Sequence, residues 1–339
     1  MMERTYRYRR VYRNWISVIV HIMLAKEMNI HLRKTRDVIY NVSPEGARLL
    51  ALMLNSSTVS IENSPKENLN NGIINCRWEQ RHLSIKLKKS LNLGGPTGDM
   101  LGLGEFVGSD YIANFTSNGA LLHLKLVKTA TNEVEYGSLV EVFIAEDYKF
   151  LECDDKIVID IGAGIGDSAI YFETRGAKNV IALELDSYLY SVASHNLKEN
   201  NLTEKVKLLN AGYGCESGME SKRETQTTDR VEKVSEISGI IKMYSLKEIL
   251  NKFELSHSGL ILKMDCEGCE YQLLREDDDS LRLFERIQIE FHNGHKTLLK
   301  KLRNVGFHCT VTGPWNGTSY ESSISNIRFG YLYAELLSK

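Results

Sequence analysis

The sequence is poor in proline, with 4 residues in 339. A chain so short of proline has no long extended linkers. It also has little net charge: 42 Lys and Arg stand against 44 Asp and Glu, leaving −2. That balance lacks the bulk electropositive signature of a nucleic-acid-binding protein. Six cysteines, at 76, 153, 215, 266, 269 and 309, are too sparse and irregular for the disulfide framework of a small secreted domain. A reducing cytoplasm is therefore the expected location. No internal repeat period is visible. No apolar run approaches the about 20 residues needed to cross a bilayer. The best, "WISVIVHIMLA" at 15–25, is 11 residues long and follows the basic run "RYRRVYR". A signal peptide has the same order, but Lys26 and Glu27 follow at once and no small-residue cleavage site is offered. The segment reads as an amphipathic helix packed on its domain, or over 4–25 as a helix lying on a membrane surface.

What is present is ordinary for a globular chain: 42% apolar and 25% charged residues. The length suits one large α/β domain plus an accessory region. Residues 1–140 form that accessory, substrate-side region. They suggest a helix near 11–27, strand-like pieces near 29–41, a helix near 44–54 and a strand in "GALLHLKLVK". The glycine-rich "LKKSLNLGGPTGDMLGLG" lacks the Gly-Lys-Ser/Thr ending of a phosphate-binding loop and reads as a connection.

From about residue 150 short apolar runs alternate with helical patterns. The runs are "KIVIDIG", "NVIALEL", "KVKLLNAG", "GLILKMD", "RIQIEFH", "FHCTVTG" and "FGYLYAEL". Strands apolar throughout are covered on both faces by helices, the mark of a parallel, doubly wound α/β sheet. The last two runs have no helix between them, so one of them should be antiparallel. The domain boundary is expected at 140/141.

The segment "VIDIGAGIGD", 158–167, follows a strand and opens a helix. Its glycines, Gly162, Gly164 and Gly166, allow a sharp turn and close approach of backbone to a ligand. The next strand ends in Glu184, 24 residues after Asp160, near the spacing of a carboxylate that grips ribose hydroxyls. A nicotinamide site faces pyrophosphate with a helix N-terminus. Asp160, two residues before the first glycine, would repel pyrophosphate and suits an amine-bearing ligand. S-adenosylmethionine (SAM), with its ammonium and sulfonium, fits better than NAD.

These residues carry a resemblance. "VIDIGAGIGDSAIYFETRGAKNVIALELD" resembles the first two strands of class I SAM-dependent methyltransferases. With "GLILKMDCEGCEYQLL" and "IQIEFHN", residues 140–339 resemble the FkbM-type family in particular. The family's fourth-strand pattern is met by Leu262, Lys263, Asp265, Glu267, Gly268 and Glu270. The resemblance implies a mostly parallel seven-stranded, Rossmann-like sheet and O-methylation of a sugar, lipid or secondary metabolite. It implies a cofactor-binding set of Asp160, Gly162, Ala163, Gly164, Gly166, Glu184, Leu185, Ala211 and Gly212, the last two passing along the adenine.

The acceptor side is expected at the ends of the fourth and fifth strands. Asp265 and Glu290 close them, and Glu267 and His292 lie two residues beyond each. Such groups could orient a hydroxyl and take its proton, or hold a divalent cation. No clear ligand set for a metal can be named from the sequence. His292 and His295 form a weak H-x-x-H. Glu270 reads as a cap of the following helix. Cys266 and Cys269 read as packing residues, or else as an incidental, oxidisable pair, because no second pair completes a zinc site and the acidic surround suits a dithiol poorly. The polar run 215–239 reads as a pocket cover or as an insertion without a core. A nucleic-acid base or ribose methyltransferase and an inactive SAM-binding module are the competing readings. Against the first, no Asn/Asp-Pro-Pro-aromatic turn follows the fourth strand.

Overall fold

The computed structural model describes residues 8–24, 26–56, 58–78, 81–87, 101, 103–128, 134–214, 241–313, 319–320 and 328–337. The polar run 215–239 and most of the glycine-rich stretch 87–104 lie outside the described residues. The chain forms two compact units. The first is Met1–Phe115 with Leu126–Asp147, and the second is Thr116–Lys125 with Tyr148–Lys339.

The first unit opens with helix α1, Trp15–Met23, shorter than the 11–27 span its apolar residues suggest. Strands β1, Met28–His31, and β2, Val38–Val42, form an antiparallel pair. Helix α2, Pro44–Asn55, starts where Ser43 accepts a hydrogen bond from the Gly46 N–H and proline sits in the first turn. Strand β3, Val59–Ile61, helix α3, Lys66–Asn70, and strands β4, Ile73–Trp78, and β5, Arg81–Lys86, follow. Strands β3, β4 and β5 make one antiparallel sheet. Strands β6, Gly104–Val107, β7, Asp110–Ser117, and β8, Ala120–Leu126, make a second three-stranded sheet, whose residues 116–125 belong to the second unit. The core includes the buried Trp78, Phe115 and Phe143, the last two ring to edge at 4.9 Å.

The second unit is an α/β sandwich. Its strands and helices alternate: β9 Ile157–Ile161, α4 Asp167–Thr174, β10 Asn179–Glu184, α5 Ser187–Glu199 and β11 Val206–Asn210. The two-residue strands β12, Gly212–Tyr213, and β13, Met243–Tyr244, pair with each other. Helix α6, Leu246–Lys252, begins with a capping box of Ser245 and Glu248. Strand β14, Leu260–Met264, leads into a 3₁₀ turn at Cys269–Arg275 and the short helix α7, Asp278–Leu281. Strand β15, Phe284–Phe291, helix α8, Lys296–Val305, and strands β16, Phe307–Thr312, β17, Ser319–Tyr320, and β18, Gly330–Leu336, complete it.

The sheet order is β11-β10-β9-β14-β15-β18-β16-β17. It holds the seven expected strands and a two-residue edge. Strands β11 to β15 are parallel, and β18 runs antiparallel between β15 and β16. Every residue of β14 is buried, Lys263 included, as a central strand covered on both faces requires. The chain winds outward from β9 through β10 to β11, then returns to β14 on the other side. Strands β9 and β14 thus flank the switch point, where ligands of such sheets bind.

No sequence signal marks the inclusion of Thr116–Lys125 in this unit. It follows from two asparagines of α5. Asn196 accepts from Lys125 N–H at 2.8 Å and donates to its carbonyl at 3.1 Å. Asn200 treats His123 the same way, at 2.9 and 2.6 Å. Side-chain amides here replace the backbone groups of a neighbouring strand.

Beneath the switch point lies a buried ion pair. Lys263 of β14 meets Asp160 of β9 at 2.9 Å, with both side chains at most 2% exposed. The same ammonium donates to the Gly162 carbonyl at 2.5 Å, and Ser168 donates to the other Asp160 oxygen at 2.6 Å. Burial alone would push the Lys263 ammonium down; Asp160, Asp265 and Asp167 outweigh it and hold its pKa above the ordinary value. Lys263→Met leaves the Asp160 carboxylate buried and unpaired. We expect a loss of about 3–5 kcal/mol in denaturant unfolding, with partial recovery when Asp160→Asn is added.

Candidate active site

The three glycines of 162–166 do different work, although each has a positive φ. A Cβ on Gly162 would lie 1.8 Å from the Asp265 carbonyl oxygen. One on Gly166 would come within 3.2 Å of Ala193 in α5. Both positions are glycine because protein backbone packs there. A Cβ on Gly164 would meet only Asp167 Oδ1, at 3.9 Å. Gly164 is therefore the glycine of the turn with an open side. Ala163 is buried, and its N–H and that of Gly162 each donate to the Leu183 carbonyl at 3.0 Å.

Glu184, at the end of β10, is 7% exposed. One carboxylate oxygen accepts from Gly164 N–H at 2.8 Å, the other from Asp186 N–H at 2.7 Å. Each oxygen keeps a lone pair for a second donor. Burial pushes its pKa up to about 7, against the lowering effect of the Asp186 and Gly164 N–H groups. Glu184 thus binds the glycine turn to the second strand and still presents acceptors to a diol. Half-buried Leu185 follows it.

One expectation for the cofactor side needs correction, and one residue joins that side. Asp160 does not face a ligand: it is fully buried and held by Lys263 and Ser168. The carboxylate beside the open glycine is Asp167, 5% exposed, which the sequence reading passed over. Its position directly after the last glycine was the available signal. Ala211 and Gly212, expected to pass along an adenine, have their N–H groups engaged within the protein. They donate to the carbonyls of Glu184, at 3.1 Å, and Lys242, at 3.0 Å. Gly212 is small because a Cβ would strike the Met243 sulfur at 2.4 Å.

The acceptor-side residues do come together. The register Met264↔Ile289 sets Asp265 and Glu290 level on neighbouring strands. Asp265 N–H donates to the Ile161 carbonyl at 3.0 Å, and Tyr148 Oη donates to Asp265 Oδ2 at 3.4 Å. Tyr148 is a further functional candidate that sequence reasoning missed, lying outside any motif. Burial, then the charges of Asp265, Glu290, Asp160 and Asp167, hold its phenol pKa well above ordinary, so it stays a donor. His292 Nε2 is 3.3 Å from Glu267, and its Nδ1 is 3.2 Å from Glu270. Burial opposes protonation of this imidazole, but Glu270, Glu267 and Asp265 together raise its pKa.

Glu270 is not only a helix cap. Fully buried, it accepts the N–H of Gly268 at 2.7 Å and of His292 at 3.0 Å, so it joins the turn after β14 to the end of β15. Ligand atoms of Asp265, Glu267 and His292 lie within 4.8 Å of one another. The imidazole of His292 thus lies beside two carboxylates, as its position two residues beyond Glu290 suggests. His295 is buried against Phe291, apart from this triad. A groove of about 430 Å³ lined by Tyr190, Leu197, Leu209, Lys252 and Phe253 includes none of the site residues.

Cys266 and Cys269 are bridged, with Cα atoms 5.5 Å apart, while Cys76, Cys153 and Cys309 are free and buried. This corrects the picture of two free packing thiols that a reducing compartment would give. The bridge closes the turn holding Glu267, whose φ of +54° is left-handed, and Gly268 at +117°.

Ionised Glu184 accepts two ribose hydroxyls better than its protonated form, so ligand contact lowers its pKa and binding releases a proton. SAM affinity should rise as pH increases through about 7 and then level off, with Glu184→Gln removing the pH dependence in titration calorimetry. Glu184→Ala should cost about 1–3 kcal/mol of binding. The disulfide closes so short a loop that its removal in Cys266→Ser/Cys269→Ala should cost about 2 kcal/mol or less in denaturant unfolding. Methyl transfer should stay near the parent rate, because Asp265 is held by the Ile161 carbonyl and not by the bridge.

Comparison with known proteins agrees with this picture. The family model described as the methyltransferase FkbM domain matches residues 160–309. An uncharacterized protein, 158B, of Sulfolobus islandicus rod-shaped virus 1 is 26% identical over 159 residues, covering 47% of this chain and 74% of that protein. Among solved structures, methyltransferase FkbM from Methylobacillus flagellatus KT is 13% identical over 53% of this chain and 43% of its own, with a TM-score of 0.36. An rRNA methylase from Streptococcus thermophilus is 14% identical over 57% of this chain and 96% of its own, with a TM-score of 0.34. The matched segment begins at Asp160, ends at Cys309 and contains Asp265, Glu267, Glu270, Glu290 and His292.

Proposed function

We propose that this methyltransferase transfers the methyl group of SAM to a hydroxyl of a sugar, lipid or other small molecule. The observation that carries the reading is the level placement of Asp265 and Glu290 on adjacent strand ends, with His292 beside them. SAM, when bound, supplies an electrophilic methyl on a cationic sulfur. The residues of the glycine turn fit that group: Gly164 offers an open face, Glu184 two acceptor oxygens and Asp167 an anionic neighbour.

The chain's own residues then have distinct tasks. Methyl transfer is an in-line displacement, so much of the acceleration is positioning. A neutral hydroxyl is a poor nucleophile and sheds its proton as the new bond forms. Asp265 stands where a carboxylate can accept that proton, and Tyr148 Oη steadies the acceptor oxygen of that carboxylate. His292, oriented by Glu270, can pass the proton outward towards the exposed Glu267. A divalent cation would be held by Asp265, Glu267 and His292, where it would lower the hydroxyl pKa.

A base N-methyltransferase is disfavoured by the same turn. The first aromatic residue after β14 is Tyr271, whose hydroxyl donates to the Gly294 carbonyl and accepts from Asn293 N–H, both at 2.8 Å. A ring so tied is not free to stack on a nucleobase.

Asp265→Asn should keep the fold and most SAM affinity while lowering turnover by about 10²–10⁴, the scale of general acid–base contributions. Turnover is measured with radiolabelled SAM against an acceptor panel, with and without chelator. Full activity in the variant removes Asp265 from the chemistry. Loss of parent activity on chelation, restored by a metal, assigns the triad to a cation.

A further inference from the structure

The methyl-transfer chemistry leaves one surface of the first unit unexplained. Helix α1 buries a single side chain, Val18. Ile16, Val20, Met23 and Leu24 are instead 62, 46, 70 and 57% exposed. At about 100° per residue these four fall within one arc of about 100°, opposite Val18. Single exposed apolar residues are ordinary, but a contiguous stripe of four large ones marks a contact surface.

The charge beside the stripe says what it contacts. Residues 8–37 hold seven Lys and Arg against Glu27 and Asp37, net +5 in a chain whose total is −2. Arg9, Arg10 and Arg13 precede the helix, and Arg33, Lys34 and Arg36 occupy the β1–β2 turn; all six are exposed. The two groups are joined. Arg33 N–H donates to the Val11 carbonyl at 2.9 Å, its guanidinium donates to the Arg9 carbonyl at 3.0 Å, and Arg13 N–H donates to the His31 carbonyl at 2.7 Å. Trp15 is half-buried at the start of the helix.

We infer that α1 docks in the plane of an anionic lipid bilayer. The stripe enters the boundary of the acyl chains, and the arginine cluster meets lipid phosphates. No described helix is long and apolar enough to cross a membrane, so the helix lies on the surface. A second copy would leave the net +5 of residues 8–37 without an anionic partner, which a lipid phosphate surface supplies.

The test is co-sedimentation of the full chain with vesicles of phosphatidylcholine, alone or with one quarter phosphatidylserine. We expect about tenfold tighter binding to the anionic vesicles, weakening as salt shortens the Debye length. Ile16→Ser/Val20→Ser/Met23→Ser should lose at least about tenfold of that binding, and Arg33→Glu/Arg36→Glu should abolish the preference for phosphatidylserine. All these positions are exposed, and circular dichroism checks that the variants fold. Absence of anionic binding in the parent overturns the inference. So does equal binding by the triple variant, or a dimer in solution that the triple variant converts to monomer.

Discussion

The buried ion pair of Asp160 and Lys263 is the constraint on which the site depends. It joins the two strands that flank the switch point, β9 and β14, below the place where both end. A charge with no partner at that depth would cost several kcal/mol, so each residue obliges the other to be present. Lys263 also donates to the Gly162 carbonyl, which fixes the first residue of the glycine turn. The turn in turn packs on the Asp265 carbonyl with no room for a Cβ. One ammonium thus sets both the floor of the cofactor side and the height of the acceptor-side carboxylate.

Electrostatics separate the two sides. Asp160 is neutralised inside the sheet, whereas Asp265, Glu267 and Glu290 remain partly open where an acceptor can reach them. Glu184 is held at a pKa of about 7 by burial. It favours folding while protonated, and that contribution is lost as pH rises from the ordinary glutamate value through about 7. The same group gains as a ligand acceptor over the same interval. His292 behaves in the opposite sense to a simply buried imidazole, because Glu270, Glu267 and Asp265 favour its cation. Its stabilising contribution is present below about 6.5 and falls away as pH rises through the elevated folded value.

Much of this was legible in the sequence. Seven apolar runs give the seven long strands, because strands covered on both faces must be apolar throughout. The glycine turn, Glu184 and the ends of β14 and β15 were visible because their chemistry leaves a local pattern. Other features needed the fold. Which glycine of the turn is open depends on what lies across from each Cβ, and of the three only Gly164 has space. The neutralisation of Asp160 depends on a lysine 103 positions later in the chain. Tyr148 sits in no motif, and Asn196 and Asn200 look like ordinary helix residues until their amides are seen bonding to Lys125 and His123. The disulfide could not be told from two packing cysteines by spacing alone.

The central claim is that a hydroxyl oxygen receives the methyl group beside Asp265 and Glu290. The most direct measurement is carbon-13 NMR of products formed from methyl-labelled SAM and an extract or acceptor library. The account predicts new signals in the O-methyl ether region that depend on the protein and disappear with Asp265→Asn. Protein-dependent signals confined to the N-methyl or S-methyl regions, or O-methyl signals of full intensity with Asp265→Asn, would contradict it.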